Sequence, residues 1–473
     1  MHRRDFLRVT VLGGVAFSVG AAWPRLLGAA AAGEGPYGPL QAADANGLQL
    51  PAGFTSRVVA TTGVAVAGSG YAWHSSPDGG ACFPTSDGGW IYVSNSEVSS
   101  GGGGVGMVRF GPGGAVVGAG RLLSGTTRNC AGGPTPWGTW LSCEETATGR
   151  VWECDPLGVT APAVRPALGV FNHEAAAVDP GGRAVYLTED ASDGALYRFR
   201  PTVWEDLSAG ALEVLTETGG VLSWQPVPDP DGSPTPTRSQ VPDTKVFNGG
   251  EGAWYDTGKV YFTTKGDNRV WTYEPAANRL AVIYDDSTSP TPVLTGVDNV
   301  TVARSGDVYV AEDGGNMELV ILSPEGEVAP FLRSNVSGSE LTGPAFDPSG
   351  TRLYVSSQRN PGRTYEVTGP FRTSTTPSPT TTTTLGTTTT TVPAAISLSA
   401  RGSKVKGRQR VDLTWSGAST AQVTISRNGV VIATTANDGA HTDMISATGG
   451  GTYTYRVCEA GGPVCSNDAV VIF

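Results

Sequence analysis

Six copies of one strand pattern recur along the chain, and they constrain its fold more than any other feature. They read GGWIYVSN (88–95), GTWLSCEE (138–145), RAVYLTED (183–190), GKVYFTTK (258–265), GDVYVAED (306–313) and TRLYVSSQ (351–358). The aligned positions Tyr92, Leu141, Tyr186, Tyr261, Tyr309 and Tyr354 recur at about 45–50 residues, the period of a propeller blade, with one longer interval. Abundant Gly (66) and Pro (33), with only 16% charged residues, suit many short strands joined by turns and argue against a helical protein. Blade four shows the plan: GGEGAWYD (249–256), VYFTTK (260–265), RVWTYEP (269–275) and LAVIYDD (280–286). The long interval contains WQPVPDPDGSPTPTRSQVPD (224–243), which reads as a Pro-rich loop insertion. The pattern predicts an all-β six-bladed propeller over residues 33–373, with 33–50 extended.

Other segments stand outside this repeat. Arg3-Arg4-Asp5-Phe6-Leu7-Arg8, an apolar run from Val9 to Ala22 and small residues at Ala29–Ala32 read as a twin-arginine signal peptide over 1–32. The expected destination is the cell surface or the medium. No later stretch has the roughly 18 apolar residues that a membrane span needs. Residues 374–393, STTPSPTTTTTLGTTTTTVP, read as an extended Thr/Pro-rich linker. Residues 394–473 alternate in ISLSA, VDLTWSG, AQVTISRNGVVIAT and GTYTYRVC, as a small β-sandwich does. Trp415 and Tyr455 are its expected core anchors, and Cys458 and Cys465 are placed to pair across a hairpin. It resembles fibronectin III-like accessory modules. Without an acid or nucleophile cluster, it reads as a spacer or attachment module contacting a cell surface or carbohydrate. A monomer is expected.

In a propeller the first strand of each blade is innermost and the second runs back antiparallel. The start of the first and the end of the second therefore share one face, around the channel mouth. First-strand starts offer Cys130, Glu174, Glu251 and Asp298-Asn299. Second-strand ends offer Glu144-Glu145, Glu189-Asp190, Lys265 to Asn268, and Glu312-Asp313. Blade one adds Asn95 and Glu97, and blade six Gln358 and Arg359. So many carboxylates at one opening repel one another unless cations bind, and hard oxygen donors suit Ca²⁺ or Mg²⁺. The alternative is that these acids are solvated turn residues or caps. A Cys130 thiolate among carboxylates suits a transition metal such as iron; otherwise Cys130 bonds Cys82 or is a small buried hydrophobe. Cys143 and Cys154 flank a hairpin and are a second candidate pair. Only four His occur (His2, His74, His173, His441), which excludes a His-rich zinc centre. No GxSxG elbow occurs, and GGGGVG (101–106) lacks the GK[ST] of a P-loop and reads as a hairpin loop. A net charge of −11 argues against nucleic-acid binding and suits divalent cations.

RNCAGGPTPWGTWLSCEET (128–146), NHEAAAVDP (172–180), VYLTEDASDGALYRF (185–199), GGEGAWYDTGKVYFTT (249–264) and GVDNVTVARSGDVYVAEDGGN (296–316) resemble the PhoX family of secreted alkaline phosphatases. The resemblance implies a six-bladed propeller with an iron and calcium cluster in its channel, hydrolysing phosphate monoesters. It implies Cys130 as an iron ligand, with carboxylates such as Glu145 and Glu174 holding the cluster. The expected hard ligands are Glu144, Glu145, Glu174, Glu251, Asp298, Glu312 and Asp313. Arg128, Lys265 and Arg359 are the candidates for steadying the phosphate. The chain departs from the family in lacking long insertions and in reading GGEG where a more basic motif is expected. Two other readings stand beside this one. EGAWYD and VDNV also resemble the one-calcium pattern of lactonase-type propellers, with a Glu, an Asn and an Asp at the ion. A non-catalytic binding propeller displayed on its Thr stalk is the third.

Overall fold

The computed structural model describes residues 35–289, 292–373, 396–405, 408–428, 430–445, 447–460, 465–466 and 469–473. The signal-peptide segment and the linker lie outside them. The chain divides into two compact units, one running to Pro379 and one from Thr380.

The described residues of the first unit form six antiparallel sheets. Blade 1 comprises Pro77–Pro84, Trp90–Ser96, Gly103–Phe110 and Val116–Thr126. Blade 2 comprises Asn129–Pro134, Trp140–Glu144, Val151–Cys154 and Ala163–Val164. Blade 3 comprises His173–Asp179, Ala184–Glu189, Leu196–Val203, Asp206–Thr218 and Val221–Pro226. Blade 4 comprises Gly250–Asp256, Lys259–Thr264, Arg269–Glu274 and Arg279–Asp285. Blade 5 comprises Val297–Val302, Val308–Glu312, Glu318–Leu322 and Val328–Ser334, with Leu48–Gln49 added at its edge. Blade 6 comprises Leu341–Phe346, Arg352–Ser357 and Arg363–Thr368. Its fourth strand comes from the other end of the unit: Thr55–Thr61 pairs with Arg363–Thr368. That pairing ties the two ends of the ring together, so no blade is left incomplete.

The first strands of successive blades lie side by side, and the first strand of blade 6 returns to that of blade 1. The ring is closed, and small residues make it possible. A Cβ on Gly79 would come 2.5 Å from Ala131 Cα, and one on Gly252 2.6 Å from Asn299 Cα. One on Gly133 would strike the Ala176 carbonyl oxygen. The repeated Tyr or Leu of the second strands sits between sheets: Tyr92, Leu141, Tyr186, Tyr309 and Tyr354 are fully buried, while Tyr261 is partly buried. Burial of such large apolar side chains is the main stabilising term between blades.

Three local expectations change. The Pro-rich insertion is not all loop, because Val221–Pro226 forms a fifth strand on blade 3. The glycine run is not a free loop, because Gly103–Phe110 is a strand of blade 1 paired on both sides. Cys143 and Cys154 are both free and buried. Cys143 pairs in register with Val151 and Cys154 with Trp140, so the hairpin does not set the two thiols opposite each other.

The second unit is a sandwich of two sheets. One contains Ser397–Val405, Arg408–Ser416 and Ala440–Met444. The other contains Gln422–Arg427, Val430–Ala436, Thr452–Glu459 and Ala469–Ile472. Trp415 and Tyr455 are in its core, and Cys458 and Cys465 form a disulfide.

Candidate metal centre

One backbone irregularity, repeated around the ring, builds the site. In blades 1 to 5 the pairing of first and second strands skips after Pro77, Asn129, His173, Gly250 and Val297. Two residues there oppose one, as in a β-bulge, which re-aims a side chain. The residue that follows each of these points is Asp78, Cys130, Glu174, Glu251 and Asp298. The bulges thus give five blades a polar residue at one equivalent position beside the channel.

These side chains converge with others from the second-strand ends. Among the described residues, four groups of possible ligand atoms each lie within 4.8 Å: Cys130–Glu145–Glu174, Asp78–Glu97–Glu340, Glu174–Glu251–Asp298 and Asp298–Asp313–Glu340. Shared members join the first and third groups through Glu174, the third and fourth through Asp298, and the fourth and second through Glu340. Glu174 is fully buried, and neither of its carboxylate oxygens has a hydrogen-bond partner. An unpaired buried carboxylate costs several kcal/mol unless it is protonated or meets a cation.

The electrostatics point the same way. Burial raises the Glu174 pKa well above the usual carboxylate range, and Glu251, Glu145, Asp298 and Asp78 push it further. Burial takes Glu145 up to about 8, against the pull of Arg128. Burial also raises the Cys130 thiol, with Asp78, Glu174 and Glu145 adding to it. Glu340 is pushed up to about 11 by burial and by Asp313, whose own pKa is lowered, so this pair shares one proton. Without a cation the centre keeps protons that its donor chemistry does not want. The donor set of one thiol and many carboxylates fits a soft metal beside hard ones.

Cys130, Glu145, Glu174, Glu251, Asp298 and Asp313 are brought together as the sequence suggests. Glu144 and Glu312 are not. Glu144 accepts from Thr127 N at 2.9 Å and from Trp152 Nε1 at 3.2 Å. Glu312 accepts from Thr295 N at 2.7 Å and Glu318 N at 2.9 Å. Glu189 is likewise consumed by Ala195 N and Tyr197 Oη. Successive residues of a strand point to opposite sides, so only the second acid of each pair can turn to the channel. Asp78 and Glu340 were missed as ligand candidates. Aligning PDGG (77–80) with NCAG (129–132) would have found Asp78, but Glu340 sits just ahead of its strand and has no such signal. Cys82 does not bond Cys130, and both thiols are free. His173 turns away, its Nε2 3.0 Å from Gly169 O and its ring stacked on Phe171.

Three cations rim the acids. Arg128 contacts Glu97 at 3.0 Å and Glu145 at 2.5 Å, and Arg359 contacts Glu340 at 2.6 Å; both side chains are nearly half exposed. Lys265 differs: its ammonium is held by Glu251, Asp298 and Asp313 together. Its Nζ lies within 3.2 Å of an oxygen of each of the three carboxylates, so as placed its charge is committed to the acids rather than to a phosphate. Asn299 is also committed, accepting from Gly343 N at 2.6 Å and donating to Asp298 Oδ1 at 2.7 Å. The Asn that a one-calcium lactonase-type pattern would use is thus hydrogen-bonded within the protein.

The alkaline phosphatase PhoX family model matches residues 95–155 and 147–283 of the chain. No curated protein matches it. Among solved structures, PhoX from Pseudomonas fluorescens in complex with vanadate, a transition state analogue, is 17% identical and has a TM-score of 0.58. That match covers 73% of this chain and 98% of the other, and it is a likeness of fold. A gluconolactonase from Xanthomonas campestris is 14% identical over 71% of this chain and 99% of the other, with a TM-score of 0.40. Motifs, family-model match and fold agree, and the resemblance to the PhoX alkaline phosphatases read from the sequence is borne out.

Proposed function

We propose that the chain is an exported, metal-dependent phosphatase that hydrolyses phosphate monoesters at an iron and calcium centre in the propeller channel. One observation carries the reading: the buried Glu174 carboxylate, with both oxygens unpaired, lies between the Cys130–Glu145 and Glu251–Asp298 groups. The family-model match supports the reaction class.

In this reading Cys130, Glu145 and Glu174 hold iron, the thiolate being its soft ligand. Asp78, Glu97 and Glu340 hold calcium through oxygen alone. Bound there, such cations supply Lewis-acid neutralisation of the phosphoryl charge and activation of an oxygen nucleophile. Arg128 and Arg359 stand at the rim, oriented by Glu97, Glu145 and Glu340, and draw a phosphate dianion toward the channel. Their planar donor forks suit two phosphate oxygens each. The buried walls keep bulk water from the acids and strengthen every charge interaction inside.

Export follows from the twin-arginine leader read in the sequence. No helix among the described residues is long and apolar enough to cross a membrane. The C-terminal sandwich then serves as a fibronectin III-like attachment module at a surface or carbohydrate, on a monomeric enzyme. Hydrolysis of p-nitrophenyl phosphate, with and without chelator, tests the function, alongside elemental analysis of the exported protein. Iron and calcium in fixed ratio with chelator-sensitive turnover are expected; full turnover after complete metal removal would sink the proposal.

A further inference from the structure

On the blade 4 side of the channel the acids already have a cation, and it is a side chain. Lys265 follows the strand Lys259–Thr264, in a single 3-10 turn over Lys265–Asp267. The turn is clamped by its backbone. Lys265 N donates to Gly249 O at 2.8 Å, and Gly266 N donates to Asn248 O at 3.0 Å. The turn also packs closely on Asn248, whose side-chain amide lies 2.3–2.5 Å from where a Cβ on Gly266 would stand. The direction of Lys265 is therefore set by the fold.

Its Nζ lies 3.2 Å from Glu251 Oε1, 3.2 Å from Asp298 Oδ2 and 3.1 Å from Asp313 Oδ2. The three carboxylates come from the first strand of blade 4, the first strand of blade 5 and the residue after the second strand of blade 5. Two of the four acid groups draw on this same triad. One ammonium within 3.2 Å of all three carboxylates places a positive charge where a bound cation would sit. A divalent ion placed in the same triad would face that ammonium at a few ångströms, and the two like charges would repel. The Cys130–Glu145–Glu174 and Asp78–Glu97–Glu340 groups include none of the three carboxylates that hold Lys265.

We infer that the Lys265 ammonium is the resident cation of the Glu251–Asp298–Asp313 corner and excludes a divalent ion from it. The channel then holds one divalent cation fewer than its carboxylates offer. The inference rests on the metal-centre reading only for the cations assigned to the neighbouring groups.

The test is a count. The full chain is stripped with chelator, dialysed against Ca²⁺ and analysed for bound metal, as wild type, Lys265→Met and Lys265→Arg. Lys265→Met is expected to bind one more Ca²⁺ per chain than wild type, and Lys265→Arg the same number as wild type. Stripped Lys265→Met should also melt below stripped wild type and recover with Ca²⁺. An equal count in Lys265→Met and wild type overturns the inference, whatever the wild-type number. A wild type that binds none while Lys265→Met gains one supports it and sinks the metal-centre reading instead. If Lys265→Met does not fold, Asp313→Asn decides: an unchanged count supports the inference, and one ion fewer overturns it.

Discussion

The Cys130 thiol and the Glu174 carboxylate face each other within 4.8 Å, from the first strands of consecutive blades. Each follows the residue at which its strand slips register against the next, Asn129 in one and His173 in the other. The same bulge, repeated by the ring, brings a thiol and a carboxylate from distant sequence to one point.

Cys130→Ser should therefore lose the soft ligand while leaving the blades intact. The expected result is loss of iron from the purified protein and a fall in monoester hydrolysis of at least about 100-fold, the upper range for a disturbed metal shell. Unchanged metal content and turnover, measured by elemental analysis and p-nitrophenyl phosphate assay, would show that Cys130 is only a buried thiol.

Metal removal should make stability depend on pH with a defined sign. Glu174 and Glu145 have folded-state pKa values raised above the unfolded value, Glu145 to about 8. The folded state then binds more protons than the unfolded state, so stability falls as pH rises from the ordinary carboxylate range to about 8. The chelated protein should melt at progressively lower temperature across that window, and Ca²⁺ should flatten the curve. A stripped protein whose melting temperature rises over the same interval would contradict the burial of these charges.

His74 contributes the opposite slope. It is buried against Trp73, with Tyr71 Oη at 3.2 Å from Nδ1 and Ser94 Oγ at 3.3 Å from Nε2. Burial, with Arg121 nearby, lowers its pKa to about 3. A depressed histidine contributes stability that is present above its unfolded value near 6.5 and is lost as pH falls toward 3. Comparing urea unfolding of wild type and His74→Gln should show a steeper acid loss in wild type, by up to about 1.4 kcal/mol per pH unit.

Arg359→Gln should act on substrate rather than on the fold. Its side chain is 47% exposed and holds Glu340 at 2.6 Å. Losing a charge-assisted contact to phosphate costs about 2 kcal/mol, roughly 30-fold in kcat/KM. Equal kcat/KM for the variant and wild type would place the phosphate elsewhere on the rim.

Gly133→Ala tests the ring itself. The added methyl would meet the Ala176 carbonyl of the neighbouring first strand, where no flexible side chain can give way. A loss of about 1–3 kcal/mol in urea unfolding is expected, with the C-terminal sandwich unaffected.

Much of this was legible in the chain because a propeller is periodic. The GGWIYVSN-type repeat places each second strand, and antiparallel return brings the start of one strand and the end of the next to one face. Asp313 and Glu145 follow from that rule, and the Cys458–Cys465 bridge follows separately from hairpin spacing in the C-terminal domain. Side-chain direction at the strand ends was not legible. Glu144 and Glu145 are adjacent letters, yet one caps Thr127 N and the other faces Cys130. Nor did any local pattern show that Thr55–Thr61 would complete blade 6, since that pairing joins opposite ends of the unit.

Spacing and alternation along the chain are enough to fix the strand period, the blade number and the residue types able to meet at the mouth. Which acids turn inward, that Asp78 and Glu340 join them, and that Lys265 is spent on three carboxylates depend on the assembled ring. Bulges and ring closure set those directions, and both arise from contacts between segments that are far apart in the chain.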